Sequence, residues 1–347
     1  MKLLKQTVGI DVAQKELVVC LGRLTEDLCS DLYTRKVFVN SKKGFDSLIK
    51  WVDHNTQKDV PVQYVMEATG VYHEALAYYL YDLKCCLSIV LPNKISNYCR
   101  TLDVKTITDK TASEAIARFA LERRLDNWQR PSPVYKKIRQ LTRERDQLVQ
   151  QRTATKNQLH AETSEAEPNE SSVKRLTKLI TFMSNQIKEI QAELTAMINK
   201  NAELKAVIER LCTIPGIGML TAATILGETN GFELIRNKKQ LVSYAGLDVR
   251  EKQSGTSIKG KPRISKKGNR FLRKAMHLPA LSAIRQEERF KSIFARMVGK
   301  HGVKMKAVVP IQRKLLELAY VLFKNNTTYD KEYLLNTCLH AEISIKN

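Results

Sequence analysis

Apolar and polar positions near the N-terminus fall into runs too short for helices and well matched to strands. Residues 7–22, TVGIDVAQKELVVCLG, read as two short strands, the first buried and apolar. LYTRKVFVN at 32–40 alternates and is rich in β-formers, which predicts a third strand. FDSLIKWV (45–52) predicts a helix, VQYVMEA (62–68) a buried strand, YHEALAYYLYDL (72–83) a helix, and LSIVL (87–91) a fifth strand ended by Pro92. TASEAIARFALER at 111–123 predicts a further helix, and PSPV at 131–134 breaks the chain.

Three strands, helix, strand, helix, strand, helix is the order of a ribonuclease-H-like fold, a mixed sheet with helices packed on it. Other α/β domains share parts of that order. Beyond the break the period changes. Val173, Leu176, Ile180, Met183, Ile187, Ile190, Leu194, Met197, Asn201, Leu204, Ile208 and Leu211 follow one another in alternating steps of three and four. That is a heptad seam with one Asn in it, and an Asn there tends to fix register or partner number. Residues 134–160 carry a weaker seam, and the link 161–172, AETSEAEPNESS, is polar. The two read as a helical hairpin, or as arms that associate between subunits. LCTIPGIGMLTAATIL (211–226) then gives a helix end, a Pro-Gly-x-Gly turn and a second apolar helix. In a helix-hairpin-helix, Gly216 and Gly218 would let backbone N–H groups approach a phosphate, whereas an ordinary helical turn would ask nothing of them. The expected organisation is an α/β domain at 1–130, a coiled-coil hairpin at 131–205, a mainly helical domain at 206–325 and a peripheral tail at 326–347.

Charge narrows the partner. The 347 residues carry a formal net charge of +22. A polyanion is the natural partner, nucleic acid above all, bound with steep salt dependence and little sequence preference from this term. The bland alternative is a basic protein with a solvated surface. Seven cysteines, including the adjacent Cys85 and Cys86, show no zinc-like spacing and no disulfide framework. That fits a reducing compartment. No run approaches the ~20 apolar residues of a membrane span, so the expectation is a cytoplasmic protein without a membrane partner.

Two acids stand out because they sit in apolar strand contexts, where an unpartnered charge is costly. They are Asp11 in VGIDVAQKE and Glu67 in VMEATG. Asp109, in ITDKTASEAIARF, precedes a helix and reads equally as an N-terminal cap or dipole partner. Carboxylates gathered on such a sheet can hold Mg²⁺ for phosphodiester chemistry. From Lys252 to Lys274 the chain has nine Lys or Arg and no acid: Lys252, Lys259, Lys261, Arg263, Lys266, Lys267, Arg270, Arg273 and Lys274. These read as phosphate contacts or as a solvated basic face. Ser254 lies in this stretch, with Ser257 and Ser265 nearby. Composition alone assigns it no role.

GIDVAQKELVV, VMEATGVY and TDKTASEAIA resemble the three N-terminal motifs of the RuvC-like DEDD transposases of insertion-sequence family one-ten, which also includes the Piv-type DNA invertases. LCTIPGIGMLTAATIL and YAGLDVREKQSGTSIKGKPRISKKGNRFLRKAM resemble that family's C-terminal transposase domain. The matches run in order from about residue 7 to 285. The resemblance implies an RNA-guided recombinase acting on target and donor double-stranded DNA, with a structured bridge RNA as guide. It also implies a bacterial, nucleoid-associated enzyme working as a homo-oligomer, a dimer of dimers. It maps the nucleophile to Ser254 and three of four acids to Asp11, Glu67 and Asp109. These would hold Mg²⁺, and the site would be composite, with acids of one protomer facing the serine of another.

In the family the fourth acid follows the third by three positions, and here that position is Ala112. An alanine holds no metal. Glu114 would point about 200° away from position 112 on a helix, and Asp103 is off the spacing. The chain is therefore expected to bind nucleic acid and to be impaired in cleavage. Deliberate trapping and natural divergence both explain the alanine, and the otherwise intact motif favours the first. Three rival functions remain open on the residues. One is a metal-dependent junction nuclease in which Ser254 is idle. Another is an RNA-independent invertase. The third is a nonenzymatic nucleic-acid-binding protein.

Overall fold

A computed structural model describes residues 2–332 apart from 69, 103–105, 107, 234, 252, 255–257 and 261. The chain divides into two compact units, Met1–Arg130 and Pro131–Asn347.

The first unit is built on β1 (Leu3–Val12), β2 (Glu16–Thr25), β3 (Ser30–Val39), α1 (Lys42–Asn55), β4 (Val62–Glu67), α2 (Glu74–Asp82), β5 (Cys86–Val90), α3 (Pro92–Cys99) and α4 (Asp109–Glu122). The sheet order is β3-β2-β1-β4-β5, with β2 antiparallel to its neighbours β1 and β3, β4 parallel to β1 and β5 parallel to β4. This is the ribonuclease-H-like, RuvC-like fold expected from the element order. The strands are longer than expected, ten residues each for the first three. One helix was not expected: α3 opens at Pro92, which sits at its first turn. Proline ends a strand and also starts a helix, because its missing N–H would be unpaired at that position anyway.

Alternation sorts the two faces of the sheet. Val8, Ile10 and Val12 of β1, with Tyr64 and Met66 of β4, share a core with α1 and α2 through Phe45, Leu48, Val52, Leu76 and Leu80. The opposite parity faces α3 and α4, where Val65 packs with Ile95, Tyr98, Ile116 and Phe119. Gly9 belongs to this second set. A Cβ there would lie 2.4 Å from both the Ala117 nitrogen and the Ser113 oxygen, so only glycine lets α4 lie this close to β1.

The second unit begins with α5 (Pro133–Thr163) and α6 (Glu170–Lys200), an antiparallel helical hairpin. Lys137 pairs with Glu193 at 3.0 Å, and Arg152 donates to Ser184 at 3.2 Å further along. On α6 the buried positions are Leu176, Met183, Ile187, Ile190, Leu194 and Ile198. The seam does not continue through Asn201, contrary to the heptad reading. Asn201 is where α6 ends and α7 (Ala202–Cys212) starts, and its side chain accepts the Leu204 N–H at 3.0 Å as an N-cap. The apolar spacing carries on only because α7 also needs a buried face, supplied by Leu204, Ile208 and Leu211.

A turn at 213–218 leads into α8 (Met219–Thr229) and then α9 (Lys238–Tyr244). Four two-residue strands follow: β6 (Val249–Arg250), β7 (Gln253–Ser254), β8 (Ile258–Lys259) and β9 (Arg263–Ile264). The remaining helices are α10 (Arg270–Ala275), α11 (His277–Gln286), α12 (Glu288–His301) and α13 (Lys304–Asn325). One apolar core joins them, running from Ile138 and Leu194 through Leu226 and Phe232 to Leu272, Ile311 and Leu316. Among the described residues no helix is long and apolar enough to cross a membrane.

Candidate active site

Parity and register place the first-unit acids. Ile10 is paired with Met66 across the parallel β1–β4 ladder, so the next residues, Asp11 and Glu67, stand side by side at the ends of their strands. Both share the parity of Gly9 and Val65, which is the α4 face of the sheet. The close approach at Gly9 brings the α4 N-terminus, and with it Asp109, toward them. Asp109 is not the cap of that helix. Thr108 is: its hydroxyl accepts the Thr111 N–H at 3.3 Å, and Thr111 Oγ1 accepts the Thr108 N–H at 2.7 Å. Asp109 is left in the first turn, exposed, with a charge the helix dipole favours.

Asp11 feels both of the other carboxylates. Burial, then the charge of Asp109, then that of Glu67 push Asp11 from its ordinary 3.8 up to about 6, against a lowering hydrogen bond from the Val12 N–H. Among the described residues no three acids, cysteines or histidines converge tightly enough to enclose an ion as they stand. The donor set nevertheless fits a hard divalent cation. It is all oxygen, and the crowding that disfavours the Asp11 carboxylate is what a cation relieves.

Ala112 lies one turn beyond Asp109 on the same side of α4, half-buried. An aspartate there would join the acidic group. Glu114 does not stand in for it, because its carboxylate is held by Arg35 of β3 at 2.7 Å. Asp103 lies outside the described residues.

Ser254 belongs to the second unit, on a hairpin built in two steps. Val249 and Arg250 pair with Ile264 and Arg263, and above them Gln253 and Ser254 pair with Lys259 and Ile258. Ser254 therefore ends its strand, and residues 255–257, Ser257 among them, lie outside the described residues. The base is heavily tied. Ser265 N–H donates to Asp248 O at 2.8 Å, and its hydroxyl donates to the Asp248 carboxylate at 2.6 Å, which gives Ser265 a structural use. Lys266 N–H donates to Gly246 O at 3.1 Å and Asn269 N–H to Tyr244 O at 2.7 Å.

The basic residues differ in what else they do. Arg263 is on β9 and Lys259 on β8, while Lys252 and Lys261 lie outside the described residues. Lys266 and Lys267 are exposed at the hairpin base. Arg273 donates to Ala245 O at 2.9 Å, Lys274 pairs with Asp146, and the Arg270 guanidinium lies 4.8 Å from the centre of the Phe271 ring. At the α7–α8 turn, Gly216 has φ +82°, and a Cβ on it would meet Pro279 O at 2.3 Å. The fold alone requires glycine there. Gly218 caps α8 without a side-chain hydrogen bond, and the space around its Cα is open.

Residues 208–295 match the family model described as "Transposase IS116/IS110/IS902 family", and residues 8–168 match the DEDD transposase model of the same family. A pilin gene-inverting protein from Moraxella bovis is 30% identical over 329 residues, covering 94% of this chain and 98% of that protein. The chain belongs to the IS110 family of transposases. An insertion element IS110 protein from Streptomyces coelicolor is 26% identical over 158 residues, covering 46% of this chain and 38% of that protein. Among solved structures, T. thermophilus RuvC in complex with Holliday junction substrate aligns over 32% of this chain and 90% of its own, at 10% identity and a TM-score of 0.25. Members of the family are transposases and DNA invertases, so this chain is a DNA-recombination enzyme by descent.

In this IS110-family chain one further acid matters to the serine loop. Glu228 of α8 has a fully buried side chain and takes two hydrogen bonds from Arg143 of α5, both at 2.7 Å. It also accepts one from Asn269 at 2.6 Å, while Tyr244 donates to its backbone oxygen at 2.8 Å. Asn269 is the N-cap of α10, where the basic hairpin ends. Glu228 thus ties the exit of the hairpin to the core. No local pattern marks it, because its ion-pair partner is 85 residues away in sequence.

Proposed function

We propose that this chain cuts and rejoins DNA strands through a serine–DNA covalent intermediate, directed by a structured guide RNA. The observation that supports the reading is the placement of Asp11 beside Glu67 at the strand ends, with the charge of Asp109 near enough to act on Asp11. Those carboxylates would hold Mg²⁺, which when bound neutralises charge on the phosphate. The oxygen of Ser254 attacks phosphorus and gives up its proton. A serine–phosphorus bond forms as the bond to a sugar oxygen breaks, and that oxygen takes up a proton. Attack by a strand hydroxyl reverses the sequence and frees the serine. The broken bond's energy is kept, so no nucleotide cofactor is consumed. Cations of the hairpin, with Lys266 and Lys267 at its base, stabilise charge building on the phosphate. Gly218 and the uncapped start of α8 offer backbone N–H groups to a second phosphate.

The acids and the serine lie in different units, and a composite site between protomers of a dimer of dimers suits that division. The 131–205 segment then acts as the associating arm. Ala112 leaves the acidic group one member short, so the chain as it stands binds nucleic acid and cleaves poorly.

The test is a covalent trap with Mg²⁺, target and donor DNA, and RNA transcribed from the element's flanking noncoding region. An adduct on a denaturing gel that appears in Ala112→Asp and vanishes in Ala112→Asp/Ser254→Ala supports the reading. Cleavage without an adduct, indifferent to Ser254, makes the protein a nuclease. The similarity to pilin gene-inverting proteins over nearly the whole chain favours one second reading, inversion without RNA. Recombination that survives ribonuclease treatment would establish it.

A further inference from the structure

The second unit contains a cavity of about 810 Å³ bounded by α5, α8, α10, α11 and α13. That volume is in the range of small-molecule sites, roughly 300–1,000 Å³. Its wall is largely apolar and includes Leu220 and Val309, and Ile264 of β9 brings the base of the serine hairpin into the lining. Four of its cationic residues sort into two kinds. Arg143 is neutralised by Glu228, and Lys274 by Asp146. Arg145 and Arg270 form no ion pair among the described residues, and Asp146 acts on Arg145 only through space, with a smaller effect than burial. Arg145 Nε is also buried with no hydrogen-bond acceptor, and burial holds its pKa below the ordinary arginine value. A buried guanidinium N–H without an acceptor is an unfavourable arrangement that a ligand oxygen would correct. Arg143 and Arg270 lie against the Phe271 ring at 4.5 and 4.8 Å, which holds two planar guanidinium groups in place at the wall.

We propose that this cavity takes one unstacked nucleotide, its base against the apolar wall and its phosphate on Arg145 and Arg270. The two halves of the lining match the two halves of that ligand. Guanidinium groups pair with phosphate through forked hydrogen bonds, and their flat faces stack on bases. A stacked base pair cannot enter a concave site of this size, so the base must leave its helix or come from a single strand. A strand anchored here would pass the base of the hairpin that carries Ser254. This deepens the proposed recombinase reading, and it is a statement about binding alone.

The test uses the full-length chain and short oligonucleotides carrying a single 2-aminopurine, as single-stranded DNA, single-stranded RNA and fully paired duplex. Binding of a single strand should raise the 2-aminopurine fluorescence as the base leaves its neighbours. Arg145→Met, which keeps the aliphatic stem, should weaken single-strand binding about tenfold and abolish the fluorescence rise. Thr221→Phe, which fills the cavity from α8, should do the same. Lys205→Met, an exposed cation on α7, should leave the fluorescence response intact. The DNA and RNA arms decide which strand is held, and a response in either one supports the site. If Thr221→Phe fails to fold by circular dichroism, Arg145→Met carries the result. The proposal is overturned if neither single strand gives a rise, or if Arg145→Met weakens duplex and single strand equally while the rise persists. Absence of a serine adduct in the covalent trap does not affect this outcome, so the two readings fail separately.

Discussion

Replacing Gly9 with alanine adds a single methyl group at the point where β1 meets α4. That methyl would lie 2.4 Å from the Ala117 nitrogen and the Ser113 oxygen, and 2.7 Å from the Ala117 Cβ. Comfortable contact between such atoms is about 3.5–4 Å, so α4 must retreat by roughly 1 Å. Two of the three obstacles are backbone atoms, and no side-chain rotation relieves them. Overpacking of this kind costs about 1–3 kcal/mol, and the rigid contacts place this case at the upper end. Both tryptophans of the chain, Trp51 and Trp128, pack in the first unit, so a urea titration followed by tryptophan fluorescence reports on that unit. With a urea slope of about 1–3 kcal/mol per molar, the midpoint should fall by about 1 M or more at unchanged slope. Gly218→Ala is the control. A Cβ there meets nothing within 4 Å, and the same midpoint should not move. In an Ala112→Asp background, Gly9→Ala should also depress strand cleavage although every acid is intact, because α4 carries Asp109 away from Asp11 and Glu67. A midpoint shift corresponding to less than about 0.5 kcal/mol, the range of an ordinary surface change, would refute the packing argument.

Asn201→Ala should cost about 1 kcal/mol by removing the N-cap of α7, with no change in oligomeric state, read from thermal melting and light scattering. Asp11, raised to about 6, favours folding most when protonated. Its contribution is present below its ordinary 3.8 and is lost as the pH rises through 6. In metal-free buffer, Asp11→Asn should therefore gain stability over the parent at pH 7 and lose that advantage near pH 4, measured as urea midpoints. Glu228→Ala should cost about 1–3 kcal/mol by removing the buried acceptor of Arg143 and Asn269, the partly exposed Arg143 being left to water. Hydrogen exchange at the β6–β9 pair should speed up in that variant more than at α6.

Legibility in the sequence followed locality. Asp11 and Glu67 were visible because a charge inside an apolar strand is anomalous within a window of a few residues. The sheet was visible for the same reason, since each strand declares itself by composition. Asn201 misled because steps of three and four are shared by a coiled-coil seam and by any two successive helices that bury one side. α3 was hidden by Pro92, whose chemistry suits the end of a strand and the start of a helix equally. The two-step hairpin around Ser254 has no apolar alternation to reveal it, and backbone hydrogen bonds at its base hold it instead. Glu228 was beyond reach, because its meaning depends on Arg143 and Asn269, which only the folded chain brings to it.

The α5–α6 hairpin leaves the second-unit core and returns to it. Ile138 and Leu141 at one end, and Ile190, Leu194 and Ile198 at the other, belong to the common core, whereas Leu176 and Met183 lie outside it. Each arm has 31 residues, a length of about 45 Å at 1.5 Å per residue. The outer part is therefore a detachable length of rod. Removing or adding seven residues in both arms together would change its reach by roughly 10 Å while every core residue keeps its neighbours. For engineering, this length is a built-in ruler.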